Sequence, residues 1–479
     1  MKALLGFDEH GEVHDLGYAI HRSIRADYKL GVVMLYRAYL DADLAASGIV
    51  ETVLLDDGDL EHRKLIISYP YEWPANMYKD AVLFHLGLFA ELDKAGLTLK
   101  DALPNNILFD HTRPVFVDFL SMVPTDQLQQ EAWLKAGGFA DPRFAVVNRM
   151  LLPYLILPFL FMARGSYGAA RDLLSTRSCN CDGRPPLWSE LIVPPLRRNP
   201  RLLMNHAKAL ALAAKLLPLR YFSRSKNAGD FLGTIRTLSE AVRSIDATPP
   251  GSGYSSYYDE KREELSLNDP DSFLPKQKVV YEILSREKPA TVLDIGANTG
   301  WYSSLAAKAG ASVIALEQDE SCADILYEKA RRLGLRILPL TVSYSDLSKK
   351  IFGSRDLRAD YADRDLQDNP LYQAGVDRFQ SDLVLVLGLV HHLVLGEGHS
   401  LEEVFGMLQK LANKIVVLEF VALDDEKILN EPSFFPNLHR SNPSTYNLER
   451  AMEIGRRHFT SVEIRDSHPE TRKILVFKR

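Results

Sequence analysis

Cysteine is scarce in this chain. Three residues, Cys179, Cys181 and Cys322, cannot staple a secreted scaffold, and the pair in "SCNCDGR" lacks the second pair of ligands that a zinc site needs. No metal site is expected, and a reducing, cytoplasmic setting fits. An excess of one charge is also missing. A net charge of −6 over 479 residues makes no global field for nucleic acid, which is not expected as a partner. No long apolar run is present either. The longest, "MLLPYLILPFLFMA" at residues 150–163, is too short to span a bilayer and carries two prolines, so a buried helix is expected. The opening "MKALLGFDEHGEVHDLG" puts acids where a signal peptide has its apolar core, so no export signal is expected. Repeats and low-complexity segments are absent.

What is present divides by texture. The length is too great for a single core. Residues 1–130 alternate strand-like runs such as "KLIISYPY" with helical ones such as "MYKDAVLFHLGLFAELDKAG". Residues 131–248 read as a helical connector rich in Leu, Ala, Pro and Arg, closed by the linker "ATPPGSGYSS". Residues 249–479 alternate apolar strands with amphipathic helices, the pattern of a parallel α/β sheet. Within the connector, residues 197–226 hold eight Lys/Arg and no acid. A basic amphipathic helix can lie on an anionic membrane, which would bring the protein to the inner face of that membrane. The plainer expectation is a helix that packs its Leu/Ala face on a neighbour and solvates its charges.

The sharpest signal is "ATVLDIGANTGWYSSLAAKAG", residues 290–310: a buried strand, a tight turn and a helix. Gly296, Asn298 and Gly300 form the turn, where backbone can approach a ligand at the C-terminal edge of a parallel sheet. The pattern is D-x-G-x-x-x-G. Asp294 stands just before the turn, where a carboxylate repels a phosphate and attracts an ammonium. S-adenosylmethionine carries an ammonium and a sulfonium but no phosphate, which favours it over a dinucleotide. The next strand, "ASVIALEQDE", ends in Glu317, placed to accept hydrogen bonds from both ribose hydroxyls.

Residues 290–320 thus resemble the cofactor half of a class I methyltransferase. The resemblance implies a seven-stranded Rossmann-like sheet whose last strand, "KILVFKR", is antiparallel. It also implies an adenine-binding residue after the third strand, where this chain offers Ser343. His391 and His392 end the fourth strand and Glu419 ends the fifth, so the three could meet over the cleft. A sugar hydroxyl needs its proton removed before methyl transfer; a His with a pKa near 7 suits that task, and a carboxylate behind it would fix its tautomer. Sugar O-methyltransferases are similar here, which implies His391 or His392 as base and Glu419 as its support.

A second resemblance covers nearly the whole chain. "YPYEW" at Tyr69–Trp73, the stretch Lys100–Asp118, Asp294–Gly300, His391–Leu393 and Glu419–Phe420 recur in this order in bacterial methyltransferases of the host-specific nodulation type. That implies a carbohydrate of a lipooligosaccharide or surface polysaccharide as acceptor. "LKDALPNNILFDHTRPVFVDF", residues 99–119, also has the order of parts of a kinase catalytic loop. Asp101 matches the base, and Asn106 and Asp118 match the ligands of Mg²⁺-ATP. The first region is therefore expected to be an α+β kinase-like domain. Yet no Gly-rich phosphate loop or V-A-x-K stands upstream, and Lys100 replaces the usual Arg. A remnant that binds nucleotide or serves structure is expected ahead of an active phosphotransferase. The alternatives are a bifunctional kinase-methyltransferase that caps a glycan, a methyltransferase for a protein or lipid acceptor, and a non-enzymatic scaffold.

Overall fold

The computed structural model describes residues 2–5, 10–130, 141–176, 199–222, 230–255, 267–349, 373–438 and 445–479. Cys179 and Cys181 lie outside them. Contacts divide the chain into two compact units, one within Met1–Pro250 and one from Gly251 onward.

The first unit opens with five antiparallel strands: β1 (Lys2–Leu5), β2 (Gly11–Asp15), β3 (Ala19–Ile24), β4 (Thr52–Leu54) and β5 (Leu60–Arg63), in the order β1-β2-β3-β5-β4. Gly17 turns β2 into β3 at φ +91°, its N–H donating to Asp15 Oδ1 at 2.7 Å. The helix Lys29–Asp41 lies between β3 and β4. A longer helix, Ala75–Lys94, buries Met77, Tyr78, Val82, Leu86 and Phe89. Two short antiparallel pairs follow: β6 (Leu97–Leu99) with β9 (Met122–Pro124), and β7 (Ile107–Asp110) with β8 (Arg113–Phe116).

The expected helical connector, residues 131–248, is not a unit of its own. Its described helices complete the core of the first unit because their apolar faces need a partner. Phe231 meets the edges of Phe89 and Phe144, both at 5.6 Å between ring centroids. Tyr78 Oη donates to the Tyr154 carbonyl at 2.9 Å, and Arg143 pairs with Asp93 at 2.6 Å. The run Arg143–Ala163 is long and apolar enough to cross a bilayer, but 72% of its most apolar window is buried in protein. It is a core helix, and Pro153 sits within the wider π-helical turns of Val147–Ile156. The basic helix Pro200–Phe222 packs as the plainer reading expects. Leu202, Ala209 and Leu212 are buried, and Asn205 Nδ2 donates to the Ala163 carbonyl at 2.8 Å.

The second unit is a seven-stranded mixed sheet. Its strands are β10 (Thr291–Ile295), β11 (Ser312–Glu317), β12 (Ile337–Thr341), β13 (Ser381–Val386), β14 (Ala412–Val421), β15 (Ser461–Asp466) and β16 (Arg472–Lys478). Their order is β12-β11-β10-β13-β14-β16-β15, with β16 antiparallel to both neighbours. This is the Rossmann-like topology that the resemblance implies. The chain leaves β10 toward β11 on one side and later returns to β13 on the other, so a crevice opens at the strand ends there.

Strand parity decides what faces that crevice. Val292, Val313, Ala315, Leu383, Leu385, Ile415 and Val417 share one core with Val280, Ile283 and Leu284 of the helix Pro275–Glu287. Burying each such aliphatic side chain contributes about 1.5–3 kcal/mol. Side chains two residues apart point the same way. Asp294, Glu317 and Glu419 each stand two residues beyond a member of this core, so all three acids lie on its face at the sheet's C-terminal edge.

Candidate active site

The turn after β10 is built around positive φ. Gly296 (+76°), Asn298 (+51°) and Gly300 (+77°) all adopt it, and Asn is the side-chain-bearing residue that tolerates it best. The Gly296 and Ala297 amides donate back to the Leu316 carbonyl at 2.9 and 3.0 Å, pinning the turn to β11. A Cβ on Gly300 would stand 2.1 Å from Leu326 Cδ1, inside a fully buried side chain. Gly300→Ala is expected to cost about 1–3 kcal/mol from overpacking, with positive φ adding to it. Denaturant melts would read this as a lower midpoint at unchanged slope.

Two buried carboxylates border the turn. Asp294 accepts from Ser303 Oγ at 2.6 Å and is 3% exposed. Burial lifts its pKa to about 6, Glu317 adds to the rise, and the Ser303 bond and Lys276 oppose it. Glu317 accepts from the Asn298 amide at 2.7 Å through one oxygen and from the Asp319 amide at 2.8 Å through the other. Burial raises its pKa too. Each Glu317 oxygen has a second lone pair for a ligand. The Asn298 amide donates from the turn, so the strained residue and the acid fix each other.

Ser343, expected at the adenine, follows β12 and donates to Asp346 Oδ2 at 2.7 Å. The Thr341 hydroxyl, next to Glu317 in the β11–β12 register, is buried without a hydrogen-bond partner. No sequence motif marks Thr341. Only its place opposite Glu317 does.

The two histidines meet as expected, with ring centroids 4.2 Å apart and Phe435 covering both at 5.7 and 5.2 Å. His391 is 2% exposed, and neither ring nitrogen has a partner. Burial holds its pKa down near 2, with His392, Arg472 and Lys427 adding to the drop. His392 is half-buried. Burial and Lys427 lower its pKa, while Glu397 and Glu431 pull it back up.

Glu419 does not support a histidine. Its side chain is fully buried, with Oε2 accepting from Lys276 Nζ at 2.6 Å and Oε1 from Ser467 Oγ at 3.2 Å. The cause is parity: Glu419 shares its face with Val417, toward the helix Pro275–Glu287 that carries Lys276, whereas both imidazoles lie against Phe435. Lys276 was not among the expected residues, because nothing in "PKQKVVYEILSRE" sets it apart from its helix's other lysine.

In the first unit, the kinase-like residues also come together. Asn106 Nδ2 donates to the Asp101 carbonyl at 3.4 Å, and Ser121 Oγ fixes the same carbonyl at 2.9 Å. Burial lifts the Asp101 pKa to about 6, with the nearby Asp118 charge adding to it. Arg22 of β3 reaches Asp118 with Nη1 at 3.3 Å. No motif marks Arg22, because a kinase carries a lysine at this place on the strand. The strand "AIHRSI" carries an arginine instead.

The chain is 26% identical over 374 residues to the nodulation protein NoeA of Rhizobium meliloti, covering 76% of this chain and 70% of that protein. No family model matches the chain. Among solved structures it is similar to the bifunctional kinase-methyltransferase WbdD, at 17% identity and a TM-score of 0.27 over 46% of this chain and 40% of that one. The chain thus spans less than half the length of WbdD. It is also similar to the magnesium protoporphyrin IX methyltransferase ChlM of Synechocystis with bound SAH, at 17% identity and a TM-score of 0.28 over 48% of this chain and 90% of that one.

Proposed function

We propose that the second unit is an S-adenosylmethionine-dependent methyltransferase acting on a hydroxyl of a carbohydrate from a lipooligosaccharide or surface polysaccharide. One observation carries the reading: two buried carboxylates, Asp294 and Glu317, flank a positive-φ turn at the crevice of a Rossmann-like sheet. Such a pair disfavours a phosphate and suits a cationic ligand with a ribose diol. The residues fit the cofactor: Asp294 for its ammonium, Glu317 for its ribose hydroxyls, and the turn for close backbone approach. When bound, S-adenosylmethionine supplies an electrophilic methyl group on sulfur.

The chain's own residues then have two tasks. They hold the acceptor oxygen in line with the methyl group, and they take its proton as the O–C bond forms. His391 and His392 supply imidazoles for both. His391 stays neutral and buried, with both ring nitrogens unpartnered, and His392 has the carboxylates nearby that favour holding a proton. The half-exposed Phe434, next to the buried Phe435 that packs on both rings, offers an aromatic face for a sugar ring. A cytoplasmic setting, where the cofactor is supplied, follows from this reading.

Titration calorimetry with S-adenosylmethionine should give a Kd on the order of micromolar, about −8 kcal/mol. Surface glycans from cells lacking the protein should lose one 14-dalton methyl increment by mass spectrometry, a mass fixed by the ~CH₂ added in any methylation. Absence of binding at millimolar cofactor would defeat the assignment.

A second reading concerns the first unit, and Arg22 at Asp118 favours it. In protein kinases a cation on the third strand serves the nucleotide's phosphates, and Arg22 of β3 is a cation placed beside Asp118. We infer a remnant site for Mg²⁺-ATP without turnover, because no Gly-rich phosphate-binding run precedes the motif in the sequence and Arg22 already engages Asp118. γ-Labelled ATP should transfer no phosphate to a glycan. Label that appears on the glycan and vanishes in Asp101→Ala would make this a kinase-methyltransferase.

A further inference from the structure

The first unit holds a cavity of about 460 Å³, within the range of about 300–1,000 Å³ usual for small-molecule sites. It lies at the end of the sheet where β3 and β4 begin and β5 ends, with the last turn of the helix Lys29–Asp41 in its wall. Its charged lining is mostly acidic: Asp43, Glu51 and Glu61 stand against Arg63. Arg63 is already committed, to Glu51 at 3.5 Å and to Asp110 at 2.7 Å. Asp43 and Glu61 make no ion pair among the described residues. The helix adds to this field. Its last turn has no basic residue, so the partial negative charge of its C-terminal end is unopposed there. Tyr18 and Tyr39 line the same space.

An unmet acceptor stands in the wall. His62 of β5 lines the cavity and is 6% exposed. The Thr52 hydroxyl donates its one hydrogen to the Val50 carbonyl at 2.9 Å. Toward His62 Nδ1, also at 2.9 Å, Thr52 Oγ1 can therefore only accept, which puts the imidazole proton on Nδ1. Burial keeps the ring neutral by holding its pKa at about 3, with Arg22 and His21 adding to the drop. Nε2 is left as a buried lone pair without a donor. We propose that this cavity binds an alkylammonium compound, its charge held by Asp43, Glu51 and Glu61 and one N–H donated to His62 Nε2. An anion would meet the acids, and a neutral sugar would leave them unmatched. Tyrosine rings attract an ammonium placed over their faces, and the exposed Leu40 and Val53 give its alkyl chain an apolar rim. The site belongs to the first unit and does not rest on the methyltransferase reading.

Two dications of one chain length, 1,6-diaminohexane and hexamethonium, test this by calorimetry on the full chain. They carry the same charge, and only the first has N–H groups. The wild type should bind the diamine about tenfold more tightly, the scale of one hydrogen bond from a charged donor. In His62→Phe that preference should vanish, with hexamethonium affinity nearly unchanged. Asp43→Asn combined with Glu61→Gln removes only charge from outward-facing residues, so it keeps the test open if His62→Phe does not fold. It should weaken both probes about 3–10-fold at low ionic strength. Equal binding of the two probes by the wild type would overturn the proposal, as would a preference that survives in His62→Phe. Unchanged affinity in the double acid variant would overturn it too, and so would absence of diamine binding at millimolar concentration.

Discussion

Asp294→Ala is expected to reduce S-adenosylmethionine affinity by more than a hundredfold. Removing one partner of a buried charge pair costs about 3–5 kcal/mol, and every 1.4 kcal/mol is tenfold in affinity. The pH dependence gives a second signature. In the empty site, burial holds the Asp294 pKa at about 6, above its ordinary value of 3.8. An acid with a raised folded-state pKa destabilises the empty protein above about pH 6, and that penalty fades as pH falls toward 3.8. Cofactor binding works in the opposite sense, because its ammonium needs the carboxylate ionised. Affinity should therefore fall as pH drops below about 6, with a proton released on binding in that range. Asp294→Asn keeps the shape and should abolish the pH dependence along with the affinity. Wild-type affinity in Asp294→Ala by calorimetry would overturn the cofactor site.

This site was readable because its parts are contiguous. Asp294, Gly296, Asn298 and Gly300 lie on one turn, and Glu317 ends the next strand, so spacing alone brings them together. Period-2 alternation places Asp294 and Glu317 on one face with Val292 and Ala315. The same alternation held the answer for Glu419. Val417 packs beneath the helix Pro275–Glu287, so the residue two further on must face that helix and not the histidines. What the sequence could not disclose was the partner. Lys276 lies 143 residues upstream, and only the closed sheet brings it to Glu419.

The first unit shows a different kind of gap. The loop residues Asp101, Asn106 and Asp118 were visible as a spaced motif, and the structure does bring Asn106 and Asp118 to Asp101. Arg22 was hidden because it is 96 residues from Asp118 and has the wrong identity for the motif sought. Its strand is half-buried throughout its middle, so no alternation singles Arg22 out. The connector joins the first unit for an energetic reason. Helical texture says that an apolar face exists, and only packing says which neighbour covers it, here Phe89 and Asp93 of the preceding helix.

Replacing both His391 and His392 by Ala is expected to lower turnover by roughly 10²–10⁴-fold while leaving cofactor affinity nearly intact. The two contributions should separate. His391 is buried, and its pKa of about 2 keeps it neutral throughout the working range, so it can orient a hydroxyl but holds a proton poorly. Its single Ala variant should act mainly through acceptor KM. His392 also has a lowered pKa, but Glu397 and Glu431 favour its cation, so it is the better place for the acceptor's proton. His392→Ala should carry most of the loss in kcat. A base must begin neutral, so wild-type kcat/KM should be level at high pH and fall as pH drops through the His392 pKa, below the ordinary 6.5. In His392→Ala that limb should disappear. Glu419→Gln should leave the limb in place, because Glu419 contacts Lys276 and Ser467. A double-histidine variant that methylates its acceptor at the normal rate would show that another group removes the proton.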